Sequence, residues 1–251
     1  MNDLVNKISV DVLKNKSILA IFIFVLCIFT FNHTGNNYYI NSVYWSIYSN
    51  TGNVYLINFA LFPFFFLVCG KMYFLVFKNK EILIRLKDKK NIIRVIHKAM
   101  YKVTLILYAI ICIVIICSGI IFSNSNFESV LIPGILVPDY IMMFVNMIKI
   151  FAMLIIIQKF ELYLLSKFAD KKVALLMLLF IDFLMCITIY LDIPSGIEKM
   201  LPASLMYDNH LYKNLLECVI YAFCFYGITN VFLTKINRKI ILKSSFNFKE
   251  K

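Results

Sequence analysis

The sequence predicts an all-α, polytopic membrane protein with six transmembrane helices. Of its 251 residues 61% are apolar and 16% are charged, whereas soluble domains average about half and a quarter. No Asp, Glu, Lys or Arg occurs between Lys16 and Lys71, and 23 of the 26 Lys and Arg residues lie in segments that would share one side of a membrane. This composition excludes an ordinary soluble protein, and the seven glycines and five prolines exclude a disordered or collagenous chain.

Six apolar segments are predicted to be membrane spans, for which a helix uses about 20 residues to cross about 30 Å of hydrocarbon. The predicted spans cover residues 17–31, 54–77, 103–122, 139–157, 173–191 and 215–234. An even number of spans places both termini on one side. The first apolar run could instead be a cleaved signal peptide, but 16 residues precede it and no small-residue cleavage site follows. We therefore predict a retained span.

The distribution of Lys and Arg predicts the orientation. Three lie before the first span, ten between Lys71 and Lys102, four in residues 158–172 and six from Lys235 onward. The opposite loops contain only Lys199 and Lys213. Because cytoplasmic loops are rich in Lys and Arg, both termini are predicted to be cytoplasmic in a multi-pass cell-membrane protein. The net charge of +12 thus reflects topology, and no polar segment is long enough for a nucleic-acid-binding domain.

Residues 1–16 are predicted to form an interfacial N-terminal helix. Leu4, Val5, Ile8 and Val12 recur at helical spacing, with charged residues on the other side. Such a helix lies in the plane of the membrane surface with its apolar face in lipid. An ordinary polar leader is the alternative.

The cytoplasmic loop 78–102 is predicted to be a helix, a turn and a second helix. Its apolar patches, Ile82–Leu86 and Ile92 to Met100, are separated by the polar residues 87–91, and Asn91 can cap the second helix. A basic amphipathic helix beside a bilayer is usually held by anionic lipid. The more specific hypothesis is a docking helix for a cytoplasmic partner.

The outer connectors are predicted to be aromatic and irregular. The aromatic residues near the first connector are typical of the interfacial aromatic belt. They are Tyr44, Trp45 and Tyr48, together with Tyr38, Tyr39 and Tyr55. They could alternatively line a substrate site or an interface. The connector 193–214 contains two prolines and a glycine. This composition is compatible with either a re-entrant hairpin or a surface loop.

Motifs of enzyme chemistry are absent from the sequence. There is no GxxxxGK[ST] phosphate loop, no HExxH pair and no GxSxG elbow, and His33, His97 and His210 are scattered. The seven cysteines lie in apolar runs, where free Cys acts as a small hydrophobic residue. We therefore predict no structural disulfide, metal site, catalytic residue or directly bound cofactor.

Lys149 and Asp182 are the two charges predicted near the middle of spans. Each lies nine positions from the cytoplasmic end of its span, about 13 Å deep. Because an unpaired charge at this depth is costly, they are predicted to form an ion pair between spans four and five. Two alternatives remain: one or both line a translocation cavity, or Lys149 snorkels to the interface. Asn230 is one of several isolated polar groups that usually bridge helices.

The whole arrangement resembles the permease subunits of type-two ABC exporters. An amphipathic leader, six spans, a helix pair after span two and a re-entrant stretch before span six are shared features. The segment ILIRLKDKKNIIRVIHKAMYKVTLI is similar to the family's segment after span two, and LPASLM precedes the last span. The Phe-, Lys- and Asn-rich form looks most like Gram-positive peptide-exporter and lantibiotic-immunity permeases.

The resemblance implies a transport subunit rather than an enzyme. Two permeases, identical or related, would combine with two cytoplasmic ATPase subunits, which would bind ATP and Mg. The substrate would be amphipathic, with a peptide expected. The rival hypothesis is an ATP-independent membrane binding or immunity protein, or a scaffold, and an intramembrane enzyme is the third. In this family's pattern the ATPase-coupling residues would be Ile82, Leu83, Arg85, Ile92, Ile93, Arg94 and Ile96.

Overall fold

The described part of the chain is almost entirely helical. A computed structural model describes residues 2–36, 42–53, 56–77, 79–86, 88–123, 126–131, 137–168, 171–188 and 215–243. Within these ranges there is no strand, and two isolated bridges join connector residues. The predicted all-α class is therefore confirmed. The connector 193–214, Tyr38, Tyr39 and Tyr55 lie outside the described residues.

The helices follow the predicted segments closely. They are α1 (Asn2–Leu13), α2 (Lys16–Asn36), α3 (Val43–Thr51), α4 (Phe62–Phe77), α5 (Lys80–Leu86), α6 (Lys89–Phe122), α7 (Asp139–Phe168), α8 (Lys171–Thr188) and α9 (Leu215–Lys243). A π-helical stretch, Leu56–Leu61, leads directly into α4. Each of the six predicted spans overlaps one of these helices.

Three helices in the described ranges are long and apolar enough to cross a membrane. They contain the segments Lys90–Phe122, Asp139–Phe168 and Val219–Ile241. Helices α1 and α2 meet the same test together, but they are bent by 65°. The apolar segments Phe62–Phe77 and Lys172–Ile181 are shorter. Length and composition therefore support a membrane protein with three or four such helices.

Helix α7 is at the centre of the bundle. It packs against α3, α4, α6, α8 and α9. Its buried apolar residues, among them Met142, Met153, Leu154 and Leu165, extend along most of its length. A helix with neighbours on most sides is apolar on most sides. This position explains why α7 is more buried than α6 or α9.

Asp139 fixes the N-terminal end of α7 to two connectors. Its side chain is fully buried, and Oδ2 accepts a hydrogen bond from Ser42 Oγ at 3.0 Å. Oδ1 accepts from the backbone nitrogens of Val130 and Tyr140 at 3.1 and 3.0 Å. Ser42 also caps α3 by accepting from the Tyr44 nitrogen. The first connector thus contains a helix that packs on α6 and α7.

Helix α1 packs on the protein rather than presenting its apolar face to lipid. Val5, Ile8 and Val12 are buried, and α1 contacts α6 and α4. Lys71 Nζ donates to the Val12 carbonyl at 2.9 Å, which satisfies one of the free carbonyls at the end of α1. Lys102 Nζ donates to Asn6 Oδ1 at 2.6 Å. The helix was predicted correctly, but the surface that covers it is α4 and α6.

The second helix of the basic loop is the first part of α6. Helix α5 ends at Leu86, and α6 then runs without interruption from Lys89 through the predicted third span. Asp88 caps α6 by accepting from the Lys90 nitrogen at 3.0 Å. The predicted cap, Asn91, instead donates from Nδ2 to the Leu86 carbonyl at 3.3 Å and closes the turn. The cap assignment to Asn91 was therefore wrong.

Candidate functional site

A cleft of about 390 Å³ lies between α7 and α9. Most of its lining is aliphatic or aromatic, with Val145, Ile148 and Ile155 on α7 and Phe223 on α9. The exposed fractions of the Ile148 and Phe223 side chains are 67% and 78%, so the cleft is at the surface of the bundle. Volumes of about 300–1,000 Å³ with apolar walls and few polar groups are typical of ligand sites.

Lys149 is the charged residue of the cleft lining. It is 5% exposed and lies ten residues after Asp139, about 15 Å along α7 from its first residue. For the predicted span 139–157, this distance corresponds to the middle of a bilayer about 30 Å thick. The structure places Lys149 in the lining of a surface cleft, and a role of this residue in a translocation cavity stays a prediction. The side chain of Asp182 lies outside the described residues, so its pairing with Lys149 stays a prediction.

Gly227 lines the cleft from the middle of α9. A Cβ atom at this position would have no heavy atom within 4 Å. Glycine in a helix interior costs roughly 0.5–1 kcal/mol relative to alanine, and helices normally use it where two backbones approach closely. No such approach occurs on this side of Gly227, so the glycine widens the cleft.

Asn230 connects the cleft to a buried lysine behind it. Lys159 is 3% exposed, and its Nζ donates to Asn230 Oδ1 and to Thr234 Oγ1, the latter at 2.7 Å. Asn237 Nδ2 donates to the Lys159 carbonyl at 2.8 Å. This network joins α7 to α9 through charge-assisted and neutral hydrogen bonds.

Sequence reasoning placed Lys159 in a cytoplasmic loop and missed the network. The available signal was on α9, where Asn230, Thr234 and Asn237 are spaced by four and three residues and therefore share one helix face. A polar stripe of this kind in an apolar helix indicates a polar partner on a neighbouring helix.

A second group of polar residues on α7 faces α4 and α6. Gln158 Oε1 accepts from Thr104 Oγ1 at 2.6 Å, and Cys69 Sγ donates to the Gln158 carbonyl at 3.4 Å. Glu161 is fully buried, and no nitrogen or oxygen of the described residues donates to its carboxyl oxygens. The Cys69 thiol, a weak donor, lies beside this carboxyl. A buried carboxyl without a nitrogen or oxygen donor destabilises the fold.

The predicted ATPase-coupling residues do not form a free surface. Ile82, Ile92, Ile93 and Ile96 are buried within the chain, in the apolar core that also contains the buried face of α1. Leu83 is half-buried and Arg94 is exposed, whereas the side chain of Arg85 lies outside the described residues. The exposed aliphatic residue of α5 is Ile84, at 70% exposure.

The aromatic residues of α3 contribute to packing inside the chain. Tyr48 is buried with Met142, and the Trp45 and Tyr48 ring centroids are 5.2 Å apart. Tyr44 lies 5.8 Å from Phe127 and 6.0 Å from Tyr140 between ring centroids. These residues stabilise the contact of α3 with the connector and with α7. They do not line the α7–α9 cleft.

The α7–α9 cleft, with its apolar lining and one lysine, is therefore the candidate site. Among its lining residues there is one cation and no Asp or Glu. In the part of the chain that the structure describes, no group of three or more His, Cys, Asp or Glu side chains could hold a metal ion. Comparison with protein-family models, with curated proteins and with solved structures gives no match to this chain.

Proposed function

We propose that this chain is the membrane permease subunit of an ATP-driven exporter of the type-two ABC class. It would pair with a second permease and with separate ATPase subunits that bind ATP and Mg, and it would move an amphipathic substrate. The observation that carries the proposal is the apolar α7–α9 cleft with the buried Lys149 in its lining, which the predicted span 139–157 would put near mid-membrane. Charged residues inside membrane helices are rare, and by default they mark a substrate or ion path.

The proposal includes six membrane crossings with both termini in the cytoplasm. Its support is the overlap of each predicted span with a helix and the presence of 23 of the 26 Lys and Arg residues in the segments predicted to be cytoplasmic. Single cysteines at Lys98 and Glu128, both exposed, test the orientation. In intact cells we expect an impermeant thiol reagent to label the Glu128→Cys variant and to spare Lys98→Cys. The reverse pattern would invert the topology.

The ATPase would dock on the exposed surface of α5 and the first turns of α6. Because Ile92, Ile93 and Ile96 are buried, the exposed residues available there are Ile84 on α5 and Lys90, Arg94 and Lys98 on α6. An exposed aliphatic residue together with charged residues has the composition of a small interface anchor. This surface replaces the isoleucine face that the sequence suggested.

Purification from native membranes in a mild detergent tests the function. We expect an ATPase subunit to co-purify with the chain and to hydrolyse ATP. Ile84→Asp should remove the ATPase, whereas Val10→Asp, at a position of 60% exposure on α1, should retain it. If no ATPase co-purifies, and an added candidate ATPase gains no activity from the chain, the exporter proposal fails.

A second candidate function is an ATP-independent membrane binding or immunity protein. The burial of Ile92, Ile93 and Ile96 favours it, because the apolar face expected to receive an ATPase is already covered by the chain itself. This alternative predicts ligand binding in the cleft without any co-purified ATPase. The same purification therefore distinguishes the two functions.

A further inference from the structure

We propose that the α7–α9 cleft binds the extended apolar chain of a single-chain amphiphile, with a carboxylate on that chain held by Lys149. The proposal rests on the proposed function and narrows the substrate class from amphipathic molecules in general to this one. Its evidence is the shape of the cleft, the charge of its lining and the depth of Lys149.

The dimensions of the cleft suit an extended apolar chain. From Val145 to Ile155 its α7 wall extends over about 15 Å. The cleft volume is about 390 Å³, and most of its lining is aliphatic or aromatic. A single alkyl chain or an extended apolar tail therefore matches the length and the chemistry of the cleft.

The charge of the cleft favours an anionic group. The lining residues whose side chains can donate hydrogen bonds are Lys149, Tyr226 and Asn230, and no carboxylate is among the lining residues. Lys159 adds a second positive charge behind Asn230. A lysine ammonium has three N–H donors, so Lys149 can bind a ligand carboxylate while it keeps an acceptor from the protein.

The depth of Lys149 distinguishes a substrate from an ordinary bilayer lipid. A phospholipid keeps its phosphate at the membrane surface, so only its acyl chains reach the level of Lys149. A carboxylate at this level has left the surface, which a molecule that crosses the membrane must do. The cleft would then be a substrate-binding site on the translocation path.

Photolabelling in proteoliposomes tests this proposal without an ATPase. The probes are a photoactivatable palmitic acid, the palmityl alcohol with the same photoreactive group, and a phosphatidylcholine that carries the same acyl chain. We expect the acid to label α7 and α9 about tenfold more than the alcohol, as the loss of a charge-assisted hydrogen bond predicts. Labelling is measured per folded protein, and the labelled peptides are identified by mass spectrometry.

Two pairs of variants complete the test. Gly227→Phe should fill the open space and abolish labelling by the acid, whereas Ile228→Phe, on the exposed face of α9, should leave it unchanged. Lys149→Met should remove the preference for the acid, and Lys149→Arg should restore it.

Three results would overturn the inference. They are equal labelling of the wild type and Gly227→Phe, an acid preference that persists in Lys149→Met, and labelling by phosphatidylcholine as strong as that by the acid. None of them bears on ATPase co-purification, so this inference and the proposed function can fail separately.

Discussion

Two regions of this bundle differ in how their apolar surface is covered. At the α1–α6 contact, two amphipathic segments that would each need an external surface bury Ile8 and Ile92 in one core. At the α7–α9 cleft, two long apolar helices meet through polar residues near Asn230 and leave about 390 Å³ between them. In the first region the chain covers its own apolar surface, and in the second it leaves a cleft between two helices.

The difference shows that an amphipathic pattern predicts that a helix face must be covered. The pattern does not identify what covers that face. A basic amphipathic helix beside a membrane suggests lipid or a docking protein. Here α1 is long enough, and close enough in space, to cover the basic helix. The α7–α9 pair carried no amphipathic signal of this kind, and it is the pair with open space beside a charge.

The largest expected effect on stability comes from disrupting the contact between α1 and α6. Ile8→Asp places a charge where the side chain is 1% exposed, and it should cost more than about 4 kcal/mol and abolish folded yield. Val10→Asp, two residues away and 60% exposed, should be nearly neutral. Gel filtration of a fluorescent fusion in detergent measures both. Equal yields would show that α1 does not pack on α6 and α4.

The next effect tests whether Lys149 also has a structural partner. If the predicted Lys149–Asp182 pair exists, Lys149→Met and Asp182→Leu should each destabilise the protein by about 3–5 kcal/mol. The double variant should then recover most of the loss, which a thermal-stability assay of all four proteins would detect. Additive losses would mean that the two side chains do not meet.

Two neighbouring residues of α7 should respond with opposite signs. Lys159→Met removes bonds to Asn230 and Thr234, and each bond to a charged group is worth about 1.5–3 kcal/mol. Glu161→Leu removes a buried carboxyl that has no nitrogen or oxygen donor among the described residues, so stability should rise by about 1–2 kcal/mol. Lys167→Met, at an exposed position, is the control for thermal denaturation. A loss of stability in Glu161→Leu would reveal a partner for the carboxyl.

The smallest effect compares two glycines in closed and open surroundings. A Cβ at Gly119 would lie 3.0 Å from Ile47 Cγ1, where α3 packs on α6, whereas a Cβ at Gly227 meets nothing within 4 Å. Gly227→Ala should therefore gain roughly 0.5–1 kcal/mol of helix stability. Gly119→Ala should gain less or lose stability, because Ile47 must move. Equal gains in thermal stability would mean that Ile47 can move away from a Cβ at position 119 at little cost.

Much of the helical architecture follows from local sequence. The continuous apolar runs predicted where α2, α6, α7, α8 and α9 lie, and the polar residues 87–91 predicted the break between α5 and α6. These features depend on residues within a few turns of each other, so periodicity and hydropathy are enough to predict them. The helix α3 was not predicted, because its aromatic residues fit an interfacial belt equally well.

The contacts between distant segments were decided by the tertiary structure alone. Lys102 bonds to Asn6 across 96 residues, and Lys159 bonds to Thr234 across 75. A lysine in sequence has the same hydropathy whether it is solvated in a loop or buried by Asn230 and Thr234, so Lys159 was placed in a loop. The cleft beside Lys149 depends in the same way on the separation of two helices. Local sequence fixes which faces must be covered, and only the packing of distant helices decides what covers each face and which space stays open.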